Sequence, residues 1–350
     1  MLVLKNIMSQ IITFVIIGGG MHSASFIFLM SVLVFITFGC GKANNADSSD
    51  SSSTPIDCPT GYIPVSGNTT LGASDDFCVM QFEAKAWDDA SGNGDGEVDA
   101  GEIDSDGCNE ASCSTANWGL ANNLPASIEV GIPWRRINQT NAKAECESLG
   151  AGYDLISNPE WMTIARNIEA QAANWSGGSV GSGCLFRGNN GTADACGYDG
   201  ASDTEPESGS GRDTKAKLTL SNGEEIWDFS GNVREWVDWT LGGALVRVIP
   251  ANKAYATTGP KDYSIEFNTL NRKISNEDEM ETITWQPLDT SLTSTNGIGQ
   301  YYAGLNYSGG AAFRGGAWGG GLMAGVFSLR LSYPKTDTRN STGFRCVYRP

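Results

Sequence analysis

The chain of 350 residues carries 40 acidic against 23 basic side chains, a formal net charge of −17. That balance excludes nucleic acid as a partner, because phosphate binding needs clustered Lys and Arg. The single histidine, His22, lies in an apolar N-terminal stretch. The chain beyond it therefore has no imidazole for a Ser-His-Asp or Cys-His relay, a general base, or a zinc or iron site.

Residues 1–39 hold two hydrophobic blocks, Ile11–Gly20 and Phe26–Phe38, and read as a signal peptide. The second block is short for a membrane span. It ends in Ile36-Thr-Phe-Gly-Cys40, which resembles a bacterial lipobox, a small residue before a lipid-accepting cysteine. Residues 40–56 are a Ser- and Asp-rich tether with too little apolar surface to form a core. The set implies export and an anchor at Cys40, with the membrane touched only through that lipid. No Asp follows Cys40, so the expected destination is the outer membrane or cell surface.

Residues 57–350 make up the folded part. Its eight cysteines, an even number in an exported chain, point to disulfides rather than thiolate metal sites. Proximity suggests Cys58–Cys78, Cys108–Cys113 and Cys184–Cys196, leaving Cys146 for Cys346; spacing alone leaves the connectivity open. Gly61–Val65 and Phe77–Glu83 read as strands. An acidic insertion follows at about 88–117, in which Ser91 to Glu102 resembles an EF-hand loop. Asn93 and Asp95 take the third and fifth places, Gly96 the turn and Glu102 the bidentate twelfth. Ser91 stands where that motif wants Asp, and the alternative is a plain acidic loop.

Asn138 predicts a cap for a helix over Gln139–Leu149, with Ala142, Cys146 and Leu149 on one face. Asn158-Pro159-Glu160 predicts the start of a second, with Asn as cap and Trp161, Ile164, Ala165 and Ile168 as its buried stripe. Ala172 to Ser221 is long and rich in Gly and Ser, the composition of a functional or metal-ordered loop. In Ile226-Trp-Asp-Phe-Ser-Gly-Asn-Val-Arg-Glu-Trp236 the two tryptophans read as core anchors. Asp228 and Glu235 flank a Gly-Asn turn, a hard-oxygen set that suits calcium. At the C-terminal end, Phe313-Arg-Gly-Gly-Ala-Trp318 and Gly343-Phe-Arg-Cys346 bracket a softer middle. Phe344, Cys346 and Tyr348 alternate with Arg345, Val347 and Arg349 as a closing strand would.

Taken in order over about 230 residues, Pro133-Trp134 with Asn141–Cys146, Asp154–Trp161, Asp228–Trp236, Arg314–Trp318 and Gly343–Cys346 resemble the formylglycine-generating-enzyme, or sulfatase-modifying-factor, family. The resemblance implies an α+β, C-type lectin-like fold with two helices on small twisted antiparallel sheets. It also implies a Cys146–Cys346 disulfide and a calcium site made by the Asp228 side chain, the Gly231 and Val233 carbonyls and the Glu235 carboxylate. The departures bear on function. The copper-binding cysteine pair of the oxygen-dependent relatives has no counterpart between Ala317 and Thr342, and the three histidines of the iron-dependent ones are missing. No copper or iron is expected.

What remains is closest in pattern to lectin-like lipoprotein targets of diversity-generating retroelements. That resemblance implies a fixed frame with displayed positions Ala317, Gly319, Gly320, Leu322, Met323, Ser328, Arg330, Ser332, Tyr333, Asp337 and Arg339, and Trp318 with Tyr333 as aromatic anchors. The expected function is a non-catalytic, calcium-stabilised binding domain for an extracellular protein or glycan. The alternatives are an enzyme of the same family using another site, and a structural envelope protein.

Overall fold

The computed structural model describes residues 56–88, 98, 102–103, 123–200, 212–240, 287–289, 291–302 and 310–350. Cys40, the leader, most of the tether, Asn93, Asp95, Cys108 and Cys113 lie outside these residues. The described part is mixed α+β, with two α-helices, several small sheets and no barrel.

Helix α1, Gln139–Ser148, starts where the sequence predicts, with the Asn138 side chain accepting the Asn141 amide at 2.9 Å. Helix α2, Asn158–Glu169, starts one residue away from expectation. Ser157, not Asn158, is the cap, because Glu160 closes the reciprocal pair by accepting the Ser157 amide at 2.8 Å. This frees the Asn158 side chain, which the C-terminal segment uses. The predicted stripe of Trp161, Ile164, Ala165 and Ile168 is wholly buried.

Strands β1 (Tyr62–Val65), β2 (Phe77–Met80), β5 (Tyr153–Leu155) and β15 (Cys346–Tyr348) form a four-stranded antiparallel sheet in the order β1-β2-β15-β5. A second sheet runs β11-β13-β12-β10-β14, from Tyr301–Tyr302, Leu329–Pro334, Gly310–Arg314, Arg234–Thr240 and Thr342–Phe344. Its outer pairs are parallel and its inner pairs antiparallel. Three two-stranded ribbons complete the set: β3 (Lys85–Trp87) with β4 (Leu124–Ala126), β6 (Gly188–Asn189) with β7 (Gly197–Tyr198), and β8 (Lys217–Thr219) with β9 (Glu225–Trp227). The ribbons β6–β7 and β8–β9 lie in the described parts of Ala172–Ser221 and just beyond it.

One expectation fails at the C-terminus. The alternation through Phe344, Cys346 and Tyr348 is not one strand: β14 ends at Phe344 in one sheet and β15 begins at Cys346 in the other. Arg345 is the crossing residue, and it and Val347 are buried rather than solvent-facing, because the crossing packs both sides of the chain. Among the described residues there are three disulfides, Cys58–Cys78, Cys146–Cys346 and Cys184–Cys196. The second ties α1 to β15 across 200 residues of sequence, the long-loop case in which a crosslink restricts the unfolded chain most.

Candidate functional site

Two regions carry the residues that the sequence singles out: a buried ionic network at the Asp228–Trp236 turn and a cleft on the C-terminal segment. The turn folds tightly, with Asp228, Gly231 and Asn232 all in the left-handed region. Glu83, next to β3, caps it by accepting the Val233 amide at 3.0 Å and the Asn232 side-chain amide at 2.6 Å. Glu235 lies at the start of β10 and gives both oxygens to Arg345, each at 2.6 Å, with both side chains fully buried. Asp228 lies 3.2 Å from Arg212 Nε, yet both its oxygens are buried without a hydrogen bond.

Lys85 completes the group, its ammonium donating to the Glu83 carbonyl at 2.9 Å. Burial, with Asp228 and Glu235 close by, holds Glu83 well above the usual carboxylate range. Burial and the nearby Arg212 bring Lys85 down to about 7. Sequence reasoning missed Glu83, Lys85 and Arg212, since nothing local marks a charged residue that becomes buried only on folding.

As a test of the calcium set, the two carboxylates differ. Glu235 does not fit a cation in this arrangement, because Arg345 already takes both its oxygens. Asp228 is less committed: neither of its buried oxygens accepts a hydrogen bond, although the Arg212 guanidinium stands 3.2 Å from one of them. In the acidic insertion, Asn93 and Asp95 lie outside the described residues. Glu102 is buried and accepts the Trp87 indole N–H at 2.9 Å, next to a bridge between Trp87 and Ile103.

The C-terminal segment is pinned from below. Trp161 of α2 donates its indole N–H to the Val326 carbonyl at 2.8 Å and stacks on Phe229 at 3.8 Å between centroids. Arg314, fully buried at the end of β12, donates through Nε and Nη2 to the Asn158 side chain and through Nη1 to the Phe327 carbonyl. Gly316, at φ +89°, passes so close to Ala324 that a Cβ would lie 2.5 Å from its Cα.

Above these anchors opens a small cleft of about 20 Å³, lined in part by Arg234, Gln300, Tyr302, Met323, Ser328 and Arg330. Of the positions predicted to be displayed, Gly319, Leu322, Met323, Arg330, Tyr333, Asp337 and Arg339 reach solvent. Ala317, Trp318, Gly320, Ser328 and Ser332 are buried, although Ala317, Gly320 and Ser328 still border the cleft. Trp318 packs with Val233 and Ala317, which makes it a frame residue in this arrangement. Arg330 lies over Tyr302 and Tyr333, at 5.0 and 4.5 Å from the ring centroids, and Arg339 lies 3.8 Å from the Tyr333 centroid. Burial and the neighbouring Arg330 lower Arg234 to about 10. Arg234 and Tyr302 come from outside the expected segment, and only the sheet order brings them here.

No family model matches this sequence, and no curated protein matches it. Among solved structures, Treponema denticola variable protein 1 is similar over 83% of this chain and 95% of that chain, at 14% identity and a TM-score of 0.37.

The buried pair yields a stability prediction. Replacing Arg345 by Met should cost about 3–5 kcal/mol, because Glu235 is left charged and unpaired in the interior. Adding Glu235→Leu should recover most of that loss. Chemical denaturation of the single and double variants checks this, and a double variant as unstable as the single would rule out charge as the cause.

Proposed function

We propose that this chain is a non-catalytic ligand-binding domain of C-type lectin-like type, held at the cell envelope through a lipid on Cys40. Residues 317–339 form its binding face. The observation that carries this reading is the contrast within one segment. Trp161, Arg314 and Gly316 fix the backbone from beneath, while Met323 and Arg330 border the cleft and Leu322, Tyr333, Asp337 and Arg339 also reach solvent. A backbone held independently of its outward side chains can change those side chains without losing the fold.

On this reading the solvent-reaching positions are the ones a diversity-generating retroelement would rewrite. The envelope anchor rests on Ile36–Cys40 and the tether, and the non-catalytic assignment on the missing cysteine pair and histidines. The ligand is an extracellular protein or glycan. A structural calcium ion belongs to the same proposal, at Asp228 with the Gly231 and Val233 carbonyls, the support being that neither Asp228 oxygen accepts a hydrogen bond.

Sequencing this locus in sibling isolates tests the binding face. The expected result is amino-acid change concentrated at Gly319, Leu322, Met323, Arg330, Tyr333, Asp337 and Arg339, with a reverse transcriptase gene and an imperfect copy of the segment nearby. Uniform change across residues 310–350 with neither element would overturn diversification. Calcium is tested by thermal unfolding. At about 100-fold over its dissociation constant the ion should add about 2.7 kcal/mol of stability. The gain should vanish on chelation and in Asp228→Asn, and an unchanged Tm in the parent protein would remove calcium from the account.

A further inference from the structure

The acidic balance of the chain reverses on the candidate face. Residues 317–339 contain Arg330, Lys335 and Arg339 against the single acid Asp337. Asp337 is taken by Arg339, at 2.9 Å. Arg234, from β10, lines the same cleft as Arg330. Neither Arg234 nor Arg330 has a carboxylate within ion-pair distance among the described residues.

Their donors are correspondingly underused. A guanidinium offers five N–H donors. Arg330 directs Nε to the Ser332 hydroxyl at 2.9 Å and Nη2 to the Tyr333 hydroxyl at 2.7 Å. Arg234 directs Nη1 to the Ser341 hydroxyl at 3.0 Å. No other described group accepts from either, and none of their unbonded nitrogens is sealed from solvent. Contrast Arg314 and Arg345, also on the C-terminal segment, whose donors meet carbonyls and side-chain oxygens in the interior. Two like charges at one cleft repel. Tyr302 and Tyr333 brace the Arg330 plane, so its open edge is held in a fixed direction rather than left to wander.

We propose that the cleft between Arg234 and Arg330 receives a carboxylate carried by the ligand, gripped by the unused Arg330 donors and faced by Arg234. This rests on residues 317–339 being the ligand face. A planar carboxylate matches the guanidinium fork. The chain's net charge of −17 opposes long polyanions, which selects a single compact acidic group. Two sources share that chemistry, an acidic peptide side chain and an acidic sugar.

The test uses the full chain labelled with ¹⁵N-arginine, with side-chain Nε–H resonances followed by NMR. The probes are N-acetyl-glutamate, N-acetylneuraminic acid, neutral N-acetyl-glutamine and inorganic phosphate. The Arg330 and Arg234 resonances should shift saturably with one or both carboxylates, at the millimolar affinity of a single fragment. The neutral amide should leave them in place. Arg330→Gln should weaken binding at least about tenfold while the remaining arginine spectrum stays dispersed. Arg330→Lys should recover only part of it, because the fork is lost. The tighter of the two carboxylates identifies the source.

Absence of a saturable shift, an equal shift with N-acetyl-glutamine, or tighter binding of phosphate than of either carboxylate would overturn the proposal. Loss of carboxylate binding with sibling variation still confined to the face strikes this inference alone. Carboxylate binding without such variation strikes only the diversified-face reading.

Discussion

The fold turns on one residue that crosses from sheet to sheet. Arg345 sits where β14 gives way to β15, with no solvent exposure. Its guanidinium takes Glu235 on β10 with two hydrogen bonds, and reaches the Met80 carbonyl of β2 and the Trp227 carbonyl of β9. Four segments distant in sequence therefore meet at one group. An ion pair this deep is no guarantee of stability, since desolvating two charges offsets much of their attraction. What it gives is direction: wrong pairings of these strands would strand a buried charge. The adjacent Cys146–Cys346 link fastens the same crossing to α1.

From that crossing the rest of the C-terminal segment follows. β14 pairs in parallel with β10, which places Glu235 opposite Gly343 and Trp236 opposite Phe344. β12 then pairs with β10 on the other edge, Glu235 opposite Arg314 and Trp236 opposite Phe313, and the Trp236 and Phe313 rings come within 3.8 Å. Arg314 and Arg345 thus flank the same short stretch of β10, one holding α2 and the loop above it, the other joining the sheets. The face between β12 and β13 inherits its fixed backbone from this arrangement.

Much of the frame was legible because local rules and tertiary packing agree there. The Asn138 cap, the buried stripe on α2 and the strands at Tyr62 and Phe77 all obey periodicity or capping chemistry that neighbouring residues express. Ser157 was misread because Asn and Ser both cap well and adjacent positions compete; the return bond from Glu160 decides it. The strand through Cys346 was misread because a period of two assumes one face in water, and a chain passing between two sheets has none. Trp227 reads as a core anchor but is only partly buried, stacked on Phe82 with the Lys217 ammonium over its ring. The ionic network was the least legible part. Glu83 acquires its meaning from Asn232 and Val233, about 150 residues away, and Lys85 and Arg212 theirs from the same buried group, which no spacing rule joins.

The central claim is that a fixed frame carries a changeable face, and one comparison of melting temperatures addresses it. A variant with Leu322→Ser, Met323→Thr, Asp337→Asn and Arg339→Ser together removes four outward side chains. The account predicts that it melts within about 2–4 °C of the parent, the shift of roughly 1 kcal/mol in a domain of this size. The single change Arg314→Lys, which leaves the Asn158 and Phe327 acceptors short of donors, should lower Tm further than all four combined. A four-residue variant that falls as far as Arg314→Lys would show that the outward side chains hold the fold themselves, and would contradict the division of this segment into frame and face.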